Sequence, residues 1–360
     1  MGPVDSITEI LLSNDPAGTE RENARGFLRF VNNVHNTPTE LFVFVQKPTV
    51  SAALWQLAIL TLSSISSSAG PWLGPSGAVA ASLQNSMMDN LFKSHIESLG
   101  YVFLSKGVEN IEEHKQKFLT RTIRNGISLL TSVIESLEGN ASSLLDSKLA
   151  KWGADSSIRP RLLENYKSMH AVLLWMTDDG GRDVYLVEPY DSSDLADAIN
   201  LVQDGQQRIA FSLQFFKKCA VPAVNALLHE VAHLCCNKFD FYYLARDSSC
   251  LDEQHAELPL HRQIKDFAKG FERSTERLAE QIGGEEFLPF FAPKDNTRTL
   301  AQLYNEDADT KVMVDYMNAD WVSALAIVIA DFNLRHGGDV PLKRTSPFKS
   351  PAEGGLYVES

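Results

Sequence analysis

The chain has 360 residues, 44% of them hydrophobic, and a formal net charge of -13 at neutral pH. That length and apolar content suffice for a large buried core, in two domains or in one large domain with an N-terminal extension. The acidic balance, with no Lys/Arg cluster, argues against nucleic acid and anionic membrane surfaces as partners.

Taken in chain order, residues 1–6 lack the basic and apolar regions of a secretory signal. The expectation is a cytoplasmic protein, or one exported by a specialised, non-classical route. Apolar residues at helical spacing predict helices over 20–32, 51–66 and 77–99, and a long helical stretch from 108 to about 149. Residues 50–65 are apolar and uncharged, but fall short of the ~20 residues that span a bilayer. The Gly/Pro-rich run 70–75 then breaks them. A buried helix is expected there rather than a membrane element, and the segment also suits a delivery or chaperone partner.

Residues 151–160, with Gly153 and Pro160, are the best boundary. They separate a helical N-terminal region, 1–155, suited to delivery, regulation or docking, from a second domain over 156–336. A Pro/Gly/Ser-rich flexible tail, 337–360, follows. Within the second domain, His170–Met176 and Asp183–Val187 flank Asp178-Asp179-Gly180-Gly181 and read as a β-hairpin. Arg208–Phe216 reads as a further strand. Next, Pro222 suits a first helical turn, and Val224, Leu227, Leu228, Val231 and Leu234 recur at helical spacing, which predicts a buried helix over 221 to about 236. Helices are expected again over about 262–284 and 299–333. The whole is of the α+β class.

The helix at 221–236 contains His229-Glu230-Val231-Ala232-His233. Positions four apart lie above one another on one helix face, so both imidazoles reach one metal ion while the intervening Glu points to the same pocket. Such groups are hard to bury on an apolar face without a metal, because each brings polar atoms into an apolar site. The geometry fits zinc (Zn2+). A catalytic zinc site needs a third protein ligand and an open fourth position. Downstream candidates are Asp240, Asp247, Asp252, Glu253, His255, Glu257, Glu276 and Glu280. The metzincin extension is excluded, since Cys236 and Phe239 stand where it needs Gly and His. His255 and His261 lie in a charged patch that reads as a solvated helix start. The four cysteines, Cys219, Cys235, Cys236 and Cys250, show no C-x-x-C spacing, which argues against a zinc knuckle and leaves both free thiols and disulfides open.

Four segments in order carry a family likeness: Arg208–Phe216 ending in Phe215-Phe216, then Leu227–His233, then Asp240-Phe241-Tyr242-Tyr243, then Asn318-Ala319-Asp320. Together they resemble the aspzincin metallopeptidases, the deuterolysin and peptidyl-Lys metalloendopeptidase group, over about a third of the chain. The resemblance implies a zincin-like domain in which a small sheet packs on the HExxH helix. It implies His229, His233 and Asp240 as zinc ligands, Glu230 as general base, and Tyr243 as hydroxyl donor to an oxyanion. It also implies Asp320 as a substrate contact, and a protein or peptide as substrate. The chain departs from the family at the turn before Asp240, where Asn237-Lys238-Phe239 replaces the usual Gly-Thr, and at Leu244, where a Gly is usual. The leading expectation is therefore a zinc-dependent endopeptidase, with the domain order suiting a toxin or effector. The alternatives are a non-catalytic protein whose structural zinc is closed by a fourth ligand, such as His255 or a cysteine, and a zinc hydrolase of a non-peptide bond.

Overall fold

The computed structural model describes residues 99–139, 143–154, 158–178, 183–190, 196–200, 208–236, 238–244, 258–274 and 298–336, with isolated positions at 89, 92, 93, 96, 97, 282, 283 and 288. The helices expected over 20–32 and 51–66, most of that over 77–99, the apolar segment 50–65 and the tail 337–360 lie outside the described residues. The chain divides into two compact units, Met1–Leu99 with Leu201–Gln206, and Gly100–Asn200 with Gln207–Ser360.

The second unit is α+β and mostly helical. It opens with β1 (Tyr101–Lys106), α1 (Glu113–Glu138), α2 (Ser143–Lys151) and α3 (Arg159–Asp178). Three short strands follow, β2 (Val184–Pro189), β3 (Ala198–Asn200) and β4 (Ile209–Ser212). The rest is helical: α4 (Ala220–Cys236), α5 (Leu260–Ser274), α6 (Leu300–Glu306), α7 (Ala308–Met317) and α8 (Ala319–Arg335). The four-stranded sheet is mixed, in the order β1-β2-β4-β3. β2 and β4 run parallel, while β1 and β3 pair antiparallel at the two edges. Central β2 is buried on both faces over Val184–Val187, as is β4 throughout, as inner strands of a covered sheet must be.

The apolar pattern explains the helical layer. In α8 every residue from Ala319 to Asn333 is buried, and α4 is buried from Ala223 to Leu234. A helix that is apolar all round is a core helix, and these two pack on each other, with α1 and α3 against α4 and α5 against both. Among the described residues, no helix is long and apolar enough to cross a membrane. Gly126 lets α1 approach closely: a Cβ there would meet Leu173 of α3 at 2.9 Å, with Leu228 and Leu227 of α4 just beyond.

The structure differs from the sequence reading in several places. The first half of the expected hairpin, His170–Met176, is the end of α3, and only Val184–Pro189 is a strand. The short run Ala171–Met176 looks strand-like alone, but Leu162, Tyr166, Met169, Leu173 and Met176 are all buried, the three-and-four spacing of one long helix. β1 occupies the gap between the helices expected over 77–99 and 108–149, where no strand was expected; its flanks Gly100 and Gly107 adopt φ of 84° and 87°, and glycine supplies that left-handed backbone at no steric cost. Finally, the boundary expected at 155/156 falls inside the second unit, because α1 packs on α3, α4 and α8. The strand expected over 208–216 is confined to Ile209–Ser212, after which Phe215–Lys217 forms a 3-10 turn.

Substituting Gly126→Val should destabilise the fold by about 1–3 kcal/mol through overpacking between α1 and α3. Urea denaturation measures this, and unchanged stability would mean that the helices are not in close contact there.

Candidate metal centre

Helix α4 presents His229 and His233 one turn apart, their Nε2 atoms 3.0 Å from each other. Asp240 Oδ1 lies 3.1 Å from His229 Nε2 and 3.3 Å from His233 Nε2. A tetrahedral zinc ion with ligand bonds of about 2.0–2.1 Å has ligand–ligand edges of about 3.3 Å. The three donor atoms therefore form a triangle of the size a metal requires, and they are the one such group of His, Cys, Asp or Glu among the described residues. Of the eight third-ligand candidates only Asp240 is brought to the imidazoles; the other seven lie outside the described residues.

Each ring is oriented from behind. His233 Nδ1 donates to the Lys238 carbonyl at 2.7 Å, which leaves the Nε2 lone pair directed at the centre. His229 Nδ1 faces Asp320 Oδ1 at 3.5 Å, and neither atom has a hydrogen-bond partner. That buried, carboxylate-backed imidazole suits a ring whose other nitrogen binds a metal. Burial alone would lower the His229 pKa, but the Asp240, Asp320 and Glu230 carboxylates outweigh it and hold the ring well above its ordinary value. For Asp240, burial acts upward and is overcome by the two imidazoles, which hold its carboxyl well below the usual range.

Glu230 is 8% exposed, between the two histidines in sequence. Burial raises its pKa first, with Asp240 and Asp197 adding to the shift and both histidines opposing it. Asn200 of β3 donates to the Glu230 carbonyl at 2.6 Å and ties the edge strand to α4. Tyr243 is 53% exposed, with its ring stacked 6.0 Å from that of His229. Its pKa is raised by burial and by the facing Asp240 charge, so the hydroxyl remains a donor. Asp320, expected to contact substrate, is 2% exposed; its Oδ2 accepts from Leu244 N at 2.6 Å while Oδ1 faces His229. It presents no surface to a substrate, and its geometry is that of a positioning residue.

The segment bearing Asp240 and Tyr243 has no regular structure of its own, so its backbone polar groups need outside partners. The α7–α8 junction supplies them. Phe239 N donates to Met317 O at 2.8 Å, and Phe239 O accepts from Ala319 N at 2.9 Å. The Asn318 carboxamide accepts from Phe241 N and donates to Tyr242 O, both at 3.1 Å. Lys238 is buried with its Nζ 3.4 Å above the Tyr316 ring, and burial lowers its pKa to about 7. Tyr242 and Tyr304 both donate to Asp315 Oδ1, at 2.5 and 2.7 Å. Sequence alone marks Asn318 only as part of a motif, and it gives no signal for Lys238 or Asp315, whose partners are distant in the chain. Cys235 and Cys236 are free thiols, and none of the described cysteines, Cys219, Cys235 and Cys236, joins the metal cluster.

Compared with protein-family models, curated proteins and solved structures, the chain has no match in any of the three.

Replacing Asn318 with Ala should weaken zinc binding about 10–100-fold, the usual cost of losing support behind the ligands, while leaving the imidazole pair in place. Competition with a chelating dye measures it; unchanged affinity would show that the clamp does not position Asp240. Asp315 gives a pH signature. Burial raises its carboxyl from 3.8 to about 6, so between these values the unfolded chain has lost a proton that the folded chain keeps. Stability is therefore lost as pH rises through that window, by on the order of 3 kcal/mol. Asp315→Asn keeps an acceptor for both tyrosines and removes the ionisation. Its stability relative to wild type should climb by about that amount from pH 4 to 7 in urea titrations, and a flat difference would mean that Asp315 is ionised throughout.

Proposed function

We propose that the chain is a zinc-dependent endopeptidase of aspzincin type, with a zincin-like domain that hydrolyses peptide bonds of protein substrates. The observation that carries this reading is the convergence of His229 Nε2, His233 Nε2 and Asp240 Oδ1 within 3.3 Å, with Glu230 on the same helix. A bound zinc ion supplies Lewis acidity toward a substrate carbonyl and acidifies water. Glu230 is the base: its raised pKa equips the carboxylate to take a proton from the attacking water and return it to the leaving amine. The half-exposed Tyr243 donates its hydroxyl to the oxygen on which negative charge develops. Asp320 and the Lys238 carbonyl hold the imidazoles in register.

Among the described residues the cluster is open on one side, which supports catalysis over a structural zinc. Among the described residues no fourth His, Cys, Asp or Glu joins the three, and Asp240, the exposed member, forms the mouth. The N-terminal region is proposed to serve delivery, regulation or docking, in keeping with a toxin or effector.

Glu230→Gln should retain zinc and lose chelator-sensitive cleavage of a denatured protein mixture by on the order of a hundred- to ten-thousandfold. Undiminished cleavage in that variant would remove the mechanism. Wild-type protein that holds zinc but cuts no peptide bond would instead favour a structural site or a non-peptide substrate.

A further inference from the structure

One helical turn beyond the imidazoles, Cys235 and Cys236 close α4 with their sulfurs 3.4 Å apart, both half-buried. Cys235 Sγ donates to Val231 O within α4 at 3.1 Å, and Cys236 Sγ donates to Asn165 O of α3 at 3.4 Å. Cys219, by contrast, is 1% exposed. We propose that Cys235 and Cys236 are a vicinal dithiol that small-molecule disulfides oxidise to an intramolecular bond, and that this oxidation releases the metal. The second half rests on the zinc reading given above.

Covalent geometry links bond formation to the site. Adjacent Cα atoms across a trans peptide are about 3.8 Å apart, below the roughly 4.4–6.8 Å that disulfides ordinarily span. The bond therefore closes only if residues 235 and 236 leave helical geometry. Position favours this, since Cys236 is the last residue of α4 and terminal turns open at the least cost. The span that must reshape lies between His233 and its acceptor, the Lys238 carbonyl. Lys238 cannot follow a displaced helix end, because its side chain is buried under Tyr316 and Phe239 is hydrogen-bonded to Met317 and Ala319. His233 consequently loses the acceptor that directs its Nε2 at the metal.

The exchange balances without an electron source or sink beyond the reagent. One cysteine thiolate attacks the reagent disulfide, forming a mixed disulfide and expelling one small thiol. The neighbouring thiolate then attacks the protein sulfur of that mixed disulfide and expels the second. The protein loses two protons and two electrons, together two hydrogen atoms, and the reagent is reduced to two thiols. Excess reducing thiol reverses both steps.

The test treats the zinc-loaded full chain with oxidised glutathione and reads intact mass, peptide map and released zinc in the same samples. A chain lighter by two hydrogen atoms, with a 235–236 linkage and zinc released and regained on reduction, is the expected result. Cys236→Ser should instead stop at a glutathione adduct on Cys235 and keep its zinc. A persistent adduct on the wild-type pair, no reaction, or a 235–236 bond formed with zinc retained would each overturn the proposal. A chain that carries no zinc before oxidation would overturn the metal reading and with it the coupling, while the mass would still show whether the bond forms.

Discussion

The Asn318 carboxamide, with one acceptor and one donor, replaces a strand partner for the segment that carries Asp240. Its oxygen takes Phe241 N and its nitrogen gives to Tyr242 O, while the flanking backbone secures Phe239 and Asp320 secures Leu244. Five backbone groups of an otherwise irregular segment are thereby satisfied from the α7–α8 junction. An unpaired buried amide or carbonyl costs about as much as a lost hydrogen bond, so the segment has one low-energy placement. In that placement Asp240 meets the imidazoles of α4. The position of Asp240 is therefore fixed by the α7–α8 junction more than by the short connection that follows His233.

Electrostatics then decides what the site wants. Glu230, Asp240 and Asp320 surround two imidazoles, with all but Asp240 almost fully buried. Without a cation this arrangement recruits protons, which is why His229 titrates well above its ordinary value. Proton and metal compete for the same lone pairs. A divalent ion relieves the same crowding of negative charge and satisfies both Nε2 atoms, which a shared proton 3.0 Å between them does only in part. The buried carboxylates would be costly as isolated ions, and they become favourable as the surroundings of a metal.

Legibility in the sequence followed the range of the interactions. α4 was readable because its signals are local: Pro222 in the first turn, an apolar face at helical spacing, and two histidines four apart. β2 was readable as a β-branched run. The hairpin failed at His170–Met176 because a six-residue window cannot separate a buried strand from one face of a helix, whereas Leu162 to Met176 can. β1 has its own local signal, the short apolar run Tyr101–Leu104 bounded by Gly100 and Gly107, which a helical reading of the surrounding stretch obscured. Asp320 was legible as part of the site but not in its role, since only its burial beside His229 separates positioning from substrate contact. The clamp was not legible, because an asparagine acquires that function only when a distant segment is placed against it.

Rigidity is unevenly distributed around the cluster. On one side the imidazoles ride on α4, which is packed between α1, α3, α5 and α8 and has no room to shift without opening the core. On the other side stand Asp240, 36% exposed at its side chain, and Tyr243, 53% exposed overall. They are held through backbone hydrogen bonds rather than through buried side chains of their own. Among the described residues, Asp240 and Tyr243 are thus the exposed members around the centre, and both lie on the segment that Asn318 holds. The placement of Asp240 and of Tyr243 consequently shares one support, so any change that loosens the clamp disturbs both together.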